Sequence, residues 1–188
     1  EVRQFWAVSS DGERIPYFHV GKNAAPDTPT LVYAYGGFGV PELPHYLGSI
    51  GKYWLEEGNA FVLANIRGGG EFGPRWHDAA LQENRQRAHE DFQAVALDLT
   101  ARRITSQPKL AIMGGSQGGL FMGAMLTQRP DLINGAVIQV PLFDMLRFHK
   151  FTIGWAWVPD YGSADKAEEF QALIKYSPLH TIQSGKRY

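Results

Sequence analysis

"KLAIMGGSQGGLFMGAML", Lys109 to Leu126, sets a serine between two pairs of glycines. The run before it, Lys109 to Gly114, is short and almost continuously apolar, as a strand buried on both faces requires. The run after it, from about Gly118 to Gln128, is apolar and helix-like and is stopped by Arg129-Pro130. Gly114-Gly115-Ser116-Gln117-Gly118 therefore reads as G-x-S-x-G on a strand-to-helix turn, the setting in which a serine hydroxyl is presented to solvent. Glycines two residues either side let the helix pass close to neighbouring backbone. The N–H after the serine, at the positive end of the helix, points at a reacting oxygen. A plain tight turn with an idle serine is the alternative reading of this motif alone.

Working outward, the same alternation repeats. "TLVYAYG" (Thr30 to Gly36) and "AFVLANI" (Ala60 to Ile66) are buried-strand runs, separated by an amphipathic stretch near Tyr46 to Glu57 that ends at Gly58. A helix from about Glu90 to Arg103 leads into the Lys109 strand, and "GAVIQV" (Gly135 to Val140) follows the helix after the serine. Strands alternating with helices predict a mostly parallel sheet with helices on both faces. The opening "RQFWAVSSDGERIPYFHVG" differs, because Ser10-Asp11-Gly12 sits between two strand-like stretches and predicts an antiparallel hairpin. From Pro141 onward the period weakens into an aromatic-rich segment, then a helical "SADKAEEFQALIKY", with no further strand.

The chain has 188 residues, 44% of them hydrophobic and 20% charged, with a net charge of -1. That composition suits a globular domain and offers no basic excess for phosphate binding, so nucleic acid is not an expected partner. The one basic cluster, "RQR" at Arg85 to Arg87, runs straight into "HED" and reads as a solvated face. There is no run of 18 apolar residues, so no membrane span is expected. The absence of cysteine excludes disulfides and a thiol nucleophile without separating a cytoplasmic from a periplasmic location. None of the six histidines falls in a metal-binding array, and neither a metal nor another cofactor is implied.

Gly68, Gly70 and Gly73 in "RGGGEFG" spell a dinucleotide fingerprint directly after a strand. The context argues against it, because Pro74-Arg75-Trp76 follow where a helix should open. "YAYGGFGVP" (Tyr33 to Pro41) ends a strand in a glycine-rich loop, where an oxyanion-hole segment belongs in an α/β-hydrolase. A tyrosine there either donates to the oxyanion or is merely a strand aromatic.

Taken in order, "YAYGGFGVP", "LANIRGGGEFGPRWH", "AIMGGSQGGL", "TQRPDLINGAVIQVPLFDMLRFHKFTIGWAW", "PDYGSAD" and "YSPLH" resemble the prolyl oligopeptidase family of serine peptidases over nearly the whole chain. The resemblance implies that residues 1–188 are a partial α/β-hydrolase catalytic domain, of a kind that works beneath a β-propeller absent from this chain. It implies Ser116 as nucleophile, with the Gln117 N–H and the Tyr35 hydroxyl as the oxyanion hole. Trp157 matches the tryptophan on which a substrate proline stacks, and Phe38, Leu142 and Tyr161 match other positions lining that pocket. Without the resemblance, Trp157 and its neighbours read as an aromatic core cluster. Gln117 departs from the asparagine usual in prolyl endopeptidases.

The expected activity is hydrolysis of short peptides after proline through an acyl-enzyme on Ser116. In this fold the triad runs serine, acid, histidine, each after a later strand. By resemblance the acid, the histidine and the last strands lie beyond Tyr188, so the isolated chain is expected to be nearly inactive. His149 and His180 fall in blocks whose family counterparts are not catalytic, and Asp144, Asp160 and Asp165 read as structural or surface acids. An uncovered sheet edge predicts self-association by edge pairing or segment exchange. The alternatives are a peptidase like oligopeptidase B, an esterase of the same fold, and a non-catalytic, self-associating or peptide-binding domain.

Overall fold

The computed structural model describes all of residues 1–188. Six strands form one sheet: β1 (Val2–Val8), β2 (Arg14–Val20), β3 (Thr30–Tyr33), β4 (Ala60–Ala64), β5 (Leu110–Gly115) and β6 (Gly135–Gln139). Their spatial order is β1-β2-β4-β3-β5-β6. The β1–β2 and β2–β4 pairs are antiparallel, and β4, β3, β5 and β6 run parallel. The expected hairpin is present. It turns at Gly12, whose φ of 88° suits glycine, and the Ser9 N–H closes it on the Glu13 carbonyl at 2.9 Å.

The helices are α1 (Pro74–Asp78), α2 (Gln86–Ala101), α3 (Gln117–Gln128), α4 (Val158–Tyr161), α5 (Ala167–Tyr176) and α6 (Pro178–Thr181). The amphipathic stretch expected over Tyr46 to Glu57 contracts to one wide turn at Gly51–Leu55, closed by the Glu56 N–H on the Gly51 carbonyl. Gly48 with φ of 54° precedes this turn, and Tyr46 before it is fully extended into solvent. Right-handed crossovers put this turn on one face of the sheet and α2 and α3 on the other, because the chain moves in opposite directions across β3.

Both faces thus carry helical elements, unevenly. On the α2 and α3 side, Val32, Val62, Leu110 and Ile112 meet Phe92, Val95, Leu99, Phe121 and Met125 in the main core. On the other side, Leu31, Tyr33 and Met113 are only half-buried, and Val137 is exposed. No helix is long and apolar enough to cross a membrane.

The reading of "RQR…HED" as a solvated face is corrected. Arg87 is exposed, but Arg85, His89 and Asp91 are buried. Asp91 receives the Arg67 guanidinium at 2.9 and 2.7 Å and the Ser9 hydroxyl at 2.6 Å, which staples the hairpin and the β4 loop to α2. Net burial of a charge is tolerated only with such pairing. Arg85 continues the apolar stripe of α2, formed by Ala88, Phe92, Val95 and Leu99, one turn back.

Candidate active site

β5 ends at Gly115 and α3 opens at Gln117, so Ser116 alone makes the turn. Its backbone sits at φ 55°, ψ -114°, a strained conformation for a residue with a side chain. The strain is held from both sides, by the Ser116 N–H on the Gln139 carbonyl at 2.9 Å and the Leu120 N–H on the Ser116 carbonyl at 3.1 Å. The consequence is an exposed hydroxyl with no hydrogen-bond partner in the chain.

The flanking glycines are there for contact. A Cβ on Gly114 would lie 2.5 Å from the Gly118 carbonyl oxygen, one on Gly118 2.7 Å from that of Ala34, and one on Gly119 2.7 Å from that of Gln139. The first turn of α3 is therefore pressed against the end of β3, which brings Tyr35 beside the elbow. Gly68 and Gly70 of the supposed dinucleotide motif serve the same purpose. Their Cβ atoms would collide with the carbonyl oxygens of Gly36 and Gly39 at 2.3 and 2.1 Å, and the Gly39 N–H bonds the Gly68 carbonyl at 3.0 Å. Two glycine-rich loops packed backbone on backbone leave no cradle for a pyrophosphate.

Gln117 has its side chain fully buried, and its Oε1 accepts a hydrogen bond from the Tyr161 hydroxyl. Its backbone N–H, first in α3, has no acceptor and is aimed out of the helix end. Tyr35 is half-buried with an unpaired hydroxyl, and burial raises its phenol above the ordinary range, so it stays a donor at neutral pH. These two donors and Ser116 share the carboxyl ends of β3 and β5, where reactive groups of parallel sheets collect.

Phe38 and Tyr161 meet edge to face at 5.6 Å between centroids. Both belong with Leu142 and Trp157 to a second apolar cluster around Leu120, Met145, Phe148 and Tyr176. Leu142 and Trp157 line an open cavity of about 240 Å³ together with Phe143, Phe148 and Phe151. Tyr161 is 1% exposed and backs this region rather than facing solvent. The one acid on the cavity wall, Asp144, is paired with Arg147 at 2.6 Å.

Three residues here were not anticipated. Arg85, fully buried, donates to the Gly36 carbonyl at 2.8 Å and the Ala80 carbonyl at 3.2 Å. Asp160, read from sequence only as a structural or surface acid, is buried and accepts the Phe38 N–H at 2.9 Å and His77 Nε2 at 2.9 Å. The helical phase of α2 would have found Arg85; nothing local marks the other two.

No histidine bonds to Ser116. His149 pairs with Asp165 at 3.0 Å, His180 with the Ser177 hydroxyl at 2.8 Å, and His89 is enclosed by Phe121 and Tyr176. No three metal-ligating side chains converge.

A mixed sheet whose fifth strand delivers a strained, exposed serine to a helix N-terminus defines the α/β-hydrolase fold. The model of the prolyl oligopeptidase family matches residues 47–188, and the chain belongs to that family of peptidases. It is 53% identical to an uncharacterized peptidase of Sinorhizobium fredii, covering 100% of this chain and 26% of that protein. Against the prolyl endopeptidase of Dictyostelium discoideum the identity is 45%, over 95% of this chain and 24% of the relative. The solved post-proline cleaving enzyme of Rickettsia typhi superposes with a TM-score of 0.97 at 41% identity, over 100% of this chain and 28% of that structure. The chain thus spans about a quarter of the length of these relatives.

Proposed function

We propose that residues 1–188 are the central part of the catalytic domain of a serine peptidase that hydrolyses short peptides after proline. The observation that carries this reading is the elbow itself, with Ser116 strained and exposed, the Gln117 N–H next to it without an acceptor, and the Tyr35 backbone packed against the first turn of α3 at Gly118.

In the proposed reaction the substrate proline stacks on Trp157 in the cavity beside Leu142, with Phe38 and Tyr161 supporting its wall. A rigid pyrrolidine is selected there by shape and apolar area. Ser116 Oγ attacks the prolyl carbonyl, and the Gln117 N–H and Tyr35 hydroxyl stabilise the oxyanion, each such donor being worth about 10²–10³ in rate. The general base takes the Ser116 proton and hands it to the departing nitrogen, so that collapse expels a neutral amine and leaves the acyl-enzyme on Ser116, which water then hydrolyses.

The base and its orienting acid are proposed to come from chain outside these residues. Loss of the base costs a serine peptidase about 10⁶ in turnover, so the isolated chain is expected to be nearly inert. Neutralisation of Asp144 by Arg147 favours proline over a basic residue in the cavity, which separates this reading from oligopeptidase B.

The test is labelling with a fluorophosphonate, read by intact mass, on the full-length protein and on residues 1–188, each beside Ser116→Ala. Labelling of the full-length protein that Ser116→Ala abolishes, with turnover of proline amides above esters and arginine amides, supports the reading. Labelling of the folded short chain would overturn the claim that its base lies elsewhere.

A further inference from the structure

We infer that Arg85 and Asp160 are positioning residues that clamp the Tyr35–Phe38 loop and thereby aim the Tyr35 hydroxyl. The inference rests on the reading of Tyr35 as an oxyanion donor. The loop holds two residues at positive φ, Gly36 at 61° and Phe38 at 55°, and the second is costly for a residue with a side chain. Such a conformation persists only where its surroundings over-determine it.

The surroundings here are two buried charges on the two peptide groups that flank Gly37. Arg85 Nη2 donates to the Gly36 carbonyl at 2.8 Å, and Asp160 Oδ2 accepts the Phe38 N–H at 2.9 Å. The charges face each other, with Arg85 Nη1 3.7 Å from Asp160 Oδ2. Asp160 is held from behind by His77 Nε2 at 2.9 Å. Arg85 lies between the rings of Phe121 and Tyr161, 5.5 and 5.4 Å from their centroids, and its other arm is tied to the Ala80 carbonyl.

Gly37 closes the clamp, since a Cβ there would sit 2.6 Å from Gln117 Cγ and 2.8 Å from Arg85 Nη2. The loop that carries Tyr35 thus meets, at Gly37, both the Arg85 guanidinium and the residue that carries the other oxyanion N–H. A planar fork reaches two carbonyls at fixed angles, which a lysine ammonium cannot reproduce. Rotation of the Gly36–Gly37 peptide, once released, would swing the Tyr35 ring off its line.

The test is a double-mutant cycle in the full-length protein on a proline amide, crossing Arg85→Lys and Asp160→Asn with Tyr35→Phe. Each clamp variant is expected to lower kcat about 10-fold or more with KM nearly unchanged, and to add little once Tyr35 is already Phe. Should Arg85→Lys fail to fold, Asp160→Asn keeps its volume and completes the cycle alone. Losses that multiply in the double variants, or folded clamp variants with full kcat, would overturn the clamp while leaving the oxyanion role intact. A Tyr35→Phe protein with full kcat would overturn both.

Discussion

The Tyr161 hydroxyl donates its hydrogen to Gln117 Oε1, and both groups are closed off from water. A residue matched by resemblance to the substrate pocket therefore acts on the elbow from behind, steadying the residue whose backbone N–H follows Ser116. Burial pushes the Tyr161 phenol well above its ordinary range, so the donor persists across the working pH of any peptidase. Tyr161→Phe strands the Gln117 oxygen and is expected to cost about 1–3 kcal/mol in urea unfolding. An unchanged midpoint would mean that the bond contributes nothing.

Gly68 has φ of 96° and no room for a Cβ beside the Gly36 carbonyl. Gly68→Ala is expected to destabilise by about 2 kcal/mol or more, through backbone strain and overpacking together. It should also displace the Tyr35 loop, lowering kcat on a proline amide. Gly12→Ala is the control, because its φ is also positive but nothing lies within 4 Å.

His89 is enclosed in apolar surroundings that hold it neutral, its pKa brought down to about 3 by burial and by the charge of Arg85. The unfolded chain binds this proton near pH 6.5, so between pH 6.5 and about 3 the unfolded state carries more protons than the folded one. Stability from this group is complete above pH 6.5 and falls as pH drops, by about 1.4 kcal/mol per unit. His89→Leu is expected to flatten that part of the stability–pH curve, measured as urea midpoints at pH 7, 6 and 5. Parallel curves for the two proteins would refute the assignment.

Trp157 is half-buried and lines the cavity. Trp157→Ala in the full-length protein is expected to lower kcat/KM for a proline amide by about 10- to 100-fold, the equivalent of losing one aromatic stacking surface. The loss should be much smaller for the matching alanine amide. Equal losses would reduce Trp157 to a core residue.

Within residues 1–188 β6 is the outermost strand on its side of the sheet, and Val137 and Val140 at or beside it are 46% and 80% exposed. Light scattering of the isolated chain is expected to show a mass rising with concentration above 21.0 kDa. Val137→Lys should suppress the rise, and a concentration-independent monomer would exclude edge pairing.

Local patterns carried much of the fold because burial on both faces leaves near-continuous apolar runs at β3, β4 and β5, while α2 keeps the 3.6-residue period and α3, buried all round from Gln117 to Met125, reads as an apolar run stopped by Arg129-Pro130. The pattern was least informative at Tyr46 to Glu57, where an amphipathic stretch promised a full helix. The wide turn that forms there is set by Gly48, Gly58 and the Trp54 indole bonding the Ala60 carbonyl at 2.7 Å.

At the site, the sequence by itself determined the turn that presents Ser116, because strand, glycine pair, serine and helix are consecutive and their geometry is local. It also marked the Tyr35 loop as a companion through its place after a buried strand. Only the tertiary structure decided that "RGGGEFG" is a backbone-packing loop, that Arg85 is buried, and that Asp160 reaches back 122 residues to the Phe38 N–H. Charged residues give no local sign of which partners will neutralise them, and glycines give none of which carbonyl will approach, until the sheet has brought distant segments together.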